Sequence, residues 1–116
     1  MGNWAQIDEE NRVIQVVVTD NSLPDDGAAF IQDNFSGTWL QASFTGRIRK
    51  QMPGIGSSYD PIADEFISPQ VAKGWVLDGN NDWVPPFPAP DENYWWDGES
   101  LDWVEIPWDL YNGNQE

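Results

Sequence analysis

Apolar and polar positions follow three successive patterns along this chain. Residues 4–7 (WAQI) alternate, a polar cluster DEEN occupies 8–11, and RVIQVVVT at 12–19 is rich in β-branched residues. Alternation and β-branching predict two strands joined by a polar loop, a first hairpin. The stretch DNSLP then breaks the strand. Pro24 suits a first helical turn, and Asp25 and Asp26 stand where a helix dipole favours acids. Ala28, Ala29, Phe30, Ile31 and Phe35 predict a short helix ending near Ser36 and Gly37, with Phe30, Ile31 and Phe35 on one face. TWLQASF at 38–44 reads as the next strand. The order β-β-α-β predicts a small α+β lobe over residues 1–46.

Beyond it the pattern changes. RIRK at 47–50 and MPGIGSS at 52–58 read as a basic and glycine-bearing linker over 47–58, extended or flexible, with no phosphate loop because no Gly-Lys-Ser/Thr ending follows. From there the chain writes one unit repeatedly. WVLDGNNDWV begins at Trp75 and WDGESLDWV ends at Val104, each closing with Asp-Trp-Val eight residues after an opening tryptophan (Trp75, Trp95). Two apolar arms around an Asp-Gly turn predict a hairpin. SYDPIADEFI at 58–67 is a shorter relative, opened by Tyr59 and closed by Phe66. Prolines follow each closing strand (Pro69, Pro85 and Pro86, Pro107), where they stop pairing. Hairpins are unstable alone, so these units must stack on one another or on a partner. PPFPAP at 85–90 reads as a stiff extended spacer. The expected fold is therefore mainly β: an α+β lobe, then about three tandem aromatic hairpins over 59–108, then a tail at 109–116 ordered only by contact.

Composition narrows the chemistry. Among 116 residues there is no Cys and no His, which removes disulfides, thiolate sites and the commonest general base and metal ligand. The N-terminus shows neither the basic start nor the apolar run of a signal peptide. Residues 1–58 carry seven acids against four bases, and 59–116 thirteen against one. That field repels nucleic acid and anionic lipid, so neither is an expected partner. No Ser-centred motif or cleft-forming carboxylate pair is recognisable, and the chain reads as a non-enzyme without cofactor or metal. The run Asp78-Gly-Asn-Asn-Asp82 starts like a calcium loop but lacks its glycine and bidentate glutamate, and hairpin chemistry accounts for it.

The stretch GIGSSYD…DEFISP…GWVL…WVPPFP…YWWD…DWV, together with the opening NWAQIDEEN, resembles a family of small virion proteins of tailed bacteriophages, especially marine and cyanobacterial ones. The resemblance spans nearly the whole chain and departs from the family pattern at Ser57, Ser58, Lys73 and Gly74. It implies a structural component of a phage particle assembled in the host cytoplasm, most specifically a capsid decoration protein. Its partners are then the capsid or other virion proteins, with self-association open. A glycan-binding module for host adsorption and a tail or assembly component are the alternatives.

Candidate contact residues follow from pattern. Arg47, Arg49 and Lys50 hold three of the five bases: either a solvated loop balancing nearby carboxylates or an anchor to an acidic surface. With few aliphatics after residue 70, Trp75, Trp83, Trp95 and Trp103 are expected to form the hairpin core rather than a sugar-stacking platform. Adjacent strand residues face opposite ways, so Trp95 and Trp96 cannot share a core. Trp96 and Trp108 are accordingly the expected interface residues.

Overall fold

The computed structural model describes residues 2–111, the side chain of Tyr111 excepted. The fold is mainly β, and the chain divides into two compact units, Met1–Pro69 and Gln70–Glu116. Among the described residues no helix is long and apolar enough to cross a membrane.

In the first unit, β1 (Gly2–Ile7) lies between β2 (Val13–Thr19) and β3 (Thr38–Ala42) in an antiparallel sheet of order β2-β1-β3. Strand alternation gives the sheet two different faces. Ala5, Ile7, Leu40 and Ala42 point to one side, and there Ala5, Ile7, Val13, Ala42 and Phe66 form the buried core, with Val16, Leu40, Met52 and Tyr59 packed against it. Trp4, Gln6, Trp39 and Gln41 stand on the other side, where Trp4, Trp39 and Gly37 border a cleft with helix α1 (Ala28–Asn34).

The helix begins later than the sequence predicts. Pro24–Gly27 is a separate 3-10 turn in which Asp25 and Asp26 adopt left-handed φ angles of 52° and 55°, outside the first turn of α1. What holds them there is tertiary bonding. The carbonyl of Asp26 accepts from Trp4 Nε1 and Thr19 Oγ1, and its carboxylate accepts from Gln41 Nε2, so three strands fix one turn. Gly27 follows at φ 87° and packs so closely on Thr19 that a Cβ would come within 2.7 Å of its side chain. Of the three residues expected to share a helix face, Ile31 is buried at 1 % exposure, Phe35 is half-buried, and Phe30 is exposed with its ring edge-on to Phe35.

The hairpin β4 (Ser58–Asp60) and β5 (Glu65–Ile67) belongs to this first unit rather than to the array that its Tyr–Phe pattern suggests. The reason is backbone pairing. The N–H of Tyr59 donates to Asn11 O, Val13 N to Ser57 O and Gly56 N to Val13 O, and Arg12 bridges Ser58. Residues 54–58 are therefore a bonded turn and strand entry, not a free linker, and they deliver Phe66 into the core. The unit boundary falls after Pro69.

In the second unit β6 (Val76–Leu77) pairs with β7 (Trp83–Val84), and β8 (Tyr94–Asp97) with β9 (Asp102–Glu105). Short α2 (Trp108–Tyr111) takes up the start of the predicted tail, whose residues 112–116 lie outside the described residues.

All four hairpin turns share a device that differs from the expected Asp-Gly geometry. Asp8, Asp60, Asp78 and Asp97 each accept, through Oδ1, the backbone N–H two residues on: Glu10, Ile62, Asn80 and Glu99. The left-handed residue is Asn11, Asp64, Asn81 or Leu101, and neither Gly79 nor Gly98. An aspartate mimicking a backbone turn, followed by one left-handed residue, closes each loop.

Candidate functional site

The basic segment 47–50 is built into the first unit. Arg49 Nε donates to Asp64 Oδ1 at 2.8 Å, its Nη1 donates to Gln41 O at 2.8 Å, and its carbonyl accepts from Phe66 N at 3.0 Å. Arg49 thus latches the end of β3 to the tip of the β4–β5 hairpin, as the charge-balancing reading of this loop expects. Lys50 is half-buried and is not without a partner. Arg47 is exposed, with its Nε 3.3 Å from Thr45 Oγ1, and it lines a shallow pocket of about 350 Å³ with Asn3, Asp26, Gln41 and Phe44.

The same latch carries a pH dependence. Tyr59 Oη donates to the Asp64 oxygen that Arg49 holds, at 2.6 Å. That hydrogen bond, assisted by Arg49, keeps the Asp64 carboxyl below its ordinary 3.8 despite partial desolvation. The reciprocal effect raises the Tyr59 phenol above 10.0. A carboxyl depressed by folding stabilises above its unfolded value and loses that contribution as pH falls through its folded one. A raised phenol stabilises below its unfolded value and loses that as pH rises. Asp8, Asp20 and Asp97 are depressed as well, chiefly by backbone N–H donors: Arg12 for Asp8, Ser22 for Asp20 and Glu99 for Asp97. Thermal melting is expected to be flat through neutrality, to fall below about pH 4 and to fall again above the 10.0 at which free tyrosine ionises. In Tyr59→Phe the difference in Tm between pH 7 and pH 3 should shrink; an unchanged difference would show that this bond contributes nothing.

In the second unit the structure exchanges the roles of two neighbouring indoles. Trp96, expected at an interface, is the inward residue: its ring sits 5.4 Å from Trp103 and 5.8 Å from Phe87, and its Nε1 donates to Lys73 O at 2.8 Å. Trp95, expected in the core, is 47 % exposed. The register explains the exchange. Asp97 pairs with Asp102, so Trp96 lies opposite Trp103 and Trp95 opposite Val104. Trp75, Trp83 and Trp103, expected to form a core, are half-buried, and Trp75 Nε1 is buried without an acceptor among the described residues. Trp108 is exposed, and its Nε1 donates to Asn93 Oδ1.

The proline spacer does more than separate hairpins. Phe87 packs on Trp96, and its carbonyl accepts from Trp103 Nε1 at 2.9 Å. Indole N–H bonds to distant carbonyls and amides tie this unit together. Even so, none of its described residues is fully buried, and Trp95, Val104, Val76, Leu77 and Leu101 are exposed.

One cleft in the first unit differs from everything around it. It encloses about 330 Å³ between α1 and the sheet, lined by Trp4, Ala28, Ile31, Gln32, Phe35, Gly37 and Trp39, none of them ionisable. Trp4 Nε1 and Trp39 Nε1 donate to the carbonyls of Asp26 and Ser36, which fixes both indoles as walls. The Trp39 ring lies 5.3 Å from Phe35. No pattern in the sequence marks this cleft, because Trp4 and Trp39 meet only through the β1–β3 register, in which Trp4 opposes Gln41 and Gln6 opposes Trp39.

Compared with protein-family models, with curated proteins and with solved structures, the chain has no match.

Proposed function

We propose that this chain is a non-catalytic structural protein of a tailed-bacteriophage particle that binds the head shell as a decoration protein. The observation that carries the reading is the second unit: aromatic hairpins held by indole hydrogen bonds, with no fully buried described residue and with apolar side chains left exposed on their strands. A module of that kind gains its remaining burial by contact with something else. Its aspartates at the turns are engaged as backbone acceptors, which suits carboxylates that shape loops. The phage assignment rests on the resemblance of GIGSSYD, WVL and WVPPFP to virion proteins. On a symmetric shell many weak contacts sum, so no single copy has to bind tightly. The experiment is to add the purified protein to particles lacking it and image them by cryo-electron microscopy. Regular density on the shell is expected. Density only at the tail, or none, overturns decoration.

A second reading, a glycan-binding module for host adsorption, is favoured by the uncharged cleft of Trp4, Phe35 and Trp39. Fixed flat rings beside an amide (Gln32) suit a neutral saccharide ring. NMR titration with neutral oligosaccharides tests it: shifts confined to these residues and lost in Trp39→Ala would favour it, and their absence would eliminate it.

A further inference from the structure

Resting on the reading of this chain as a binding protein, we infer that the face of β8–β9 carrying Trp95, Val104, Asp97 and Asp102 docks an arginine-bearing segment of a partner protein. Strand alternation puts these four residues on one side, opposite the Trp96–Trp103 pair. Trp95 and Val104 are directly cross-strand and remain 47 % and 36 % exposed. The next pair on that face is Asp97 and Asp102, two carboxylates directly opposite each other.

Both carboxylates are held in position by local hydrogen bonds. Asp97 accepts from the Glu99 N–H and from Ser100 Oγ, and Asp102 Oδ1 accepts from the Trp103 N–H. A cation bound beside them is attracted by both carboxylates. A guanidinium does more than an ammonium here, because it stacks on an indole face and presents a planar fork of N–H donors to carboxylates. The exposed Trp95 ring and the two carboxylates offer both halves of that recognition within one cross-strand ladder.

Charge selects the occupant further. Residues 70–116 carry ten acids and the single base Lys73, and the whole chain is −15. Nucleic acid, anionic lipid and a second copy of the chain are all repelled by that field, and a basic protein segment is attracted. Val104 adds an apolar floor beside the indole, so the partner segment pairs arginine with an aliphatic or extended neighbour. The same geometry assigns contact to Trp95 in place of Trp96, and to the acidic face in place of Arg49, which is already engaged.

The test uses the full chain and two fluorescein-labelled probes, hexa-arginine and hexa-lysine, read by anisotropy at low salt. The arginine probe should bind more tightly than the lysine probe. Trp95→Ala should weaken the arginine probe by about tenfold, near the upper end for loss of a cation–π contact, and Asp102→Asn by about threefold. Phe44→Ala, at an 83 % exposed site in the other unit, should leave it unchanged. Circular dichroism of each variant guards against unfolding. Equal affinity for the two probes, with Trp95→Ala indistinguishable from the parent, overturns the inference, since net charge alone then explains binding. A neutral oligosaccharide that displaces the arginine probe, with its affinity lost in Trp95→Ala, also overturns it. Loss of shell decoration with arginine binding intact refutes the phage reading alone. Decoration that persists in Trp95→Ala refutes this surface as the contact used there.

Discussion

Phe66→Ala is expected to destabilise the first unit by about 3–5 kcal/mol, the range for deleting a fully buried phenylalanine. Phe66 is 0 % exposed and lies in the cluster formed by Ala5, Ile7, Val13 and Ala42. The site has little freedom to collapse around the missing ring. Its N–H donates to Arg49 O, its carbonyl accepts from Gln51 Nε2 at 2.8 Å, and its ring leans on Tyr59 at 5.7 Å. A small domain has a net stability of about 5–15 kcal/mol, so this one substitution removes a large part of it. Urea unfolding followed by far-ultraviolet circular dichroism measures the loss. Phe44→Ala, at an exposed position, should lie within about 0.5 kcal/mol of the parent. A loss below about 1 kcal/mol for Phe66→Ala would mean that the β4–β5 hairpin is not part of this core.

That core shows where sequence reasoning reaches and where it stops. Local pattern gives the order β-β-α-β and the three later hairpins, because β-branching, a helical apolar face and aspartate at a turn all act within a few residues. It does not give the unit boundary. Tyr59 and Phe66 resemble the opening and closing aromatics of the Trp hairpins, yet their hairpin joins the first sheet through main-chain bonds from residues 11–13 to 56–59, and backbone pairing leaves no side-chain signature. The helix start is hidden for a similar reason. Asp25 and Asp26 look like first-turn acids, but Trp4, Thr19 and Gln41, on three different strands, hold Asp26 in a left-handed turn.

The exchange of Trp95 and Trp96 was closer to legible. The eight-residue spacing invites pairing of Trp95 with Trp103, but the register across 97–102 puts Trp96 there. Counting inward from Asp97 and Asp102, with Asp97 as the turn aspartate, assigns Trp96 to the inner face. Taking Asp-Gly as a two-residue turn obscures that count, since Leu101, not Gly98, is left-handed. The cleft of Trp4, Phe35 and Trp39 depends on three elements at once, and the charge-balancing role of Arg49 depends on a hairpin tip fifteen residues away.

The two adjacent tryptophans give the sharpest contrast for a second experiment. Trp96→Ala is expected to cost about 2–3 kcal/mol, below the range for a fully buried ring, and to unfold the second unit. The residue joins three separate segments: residues 73–74 through its Nε1 bond to Lys73 O and its packing on Gly74, residue 87 through the Phe87 ring, and β9 through Trp103. A Cβ on Gly74 would stand 3.1 Å from the Trp96 ring, so that contact is already close. Without the indole, β8–β9 is left as an isolated two-stranded hairpin, which is marginal at best. Near-ultraviolet circular dichroism should lose the signal of the Trp96–Trp103 pair, and exchange protection should vanish at the Ile106 N–H, which donates to Asn93 O across the end of the β8–β9 hairpin. Trp95→Ala removes an indole from the same strand one residue earlier and should cost less than about 1 kcal/mol, since that ring is half in solvent. Equal losses for the two substitutions would contradict the register of β8–β9, and with it the assignment of Trp95 to the outer face.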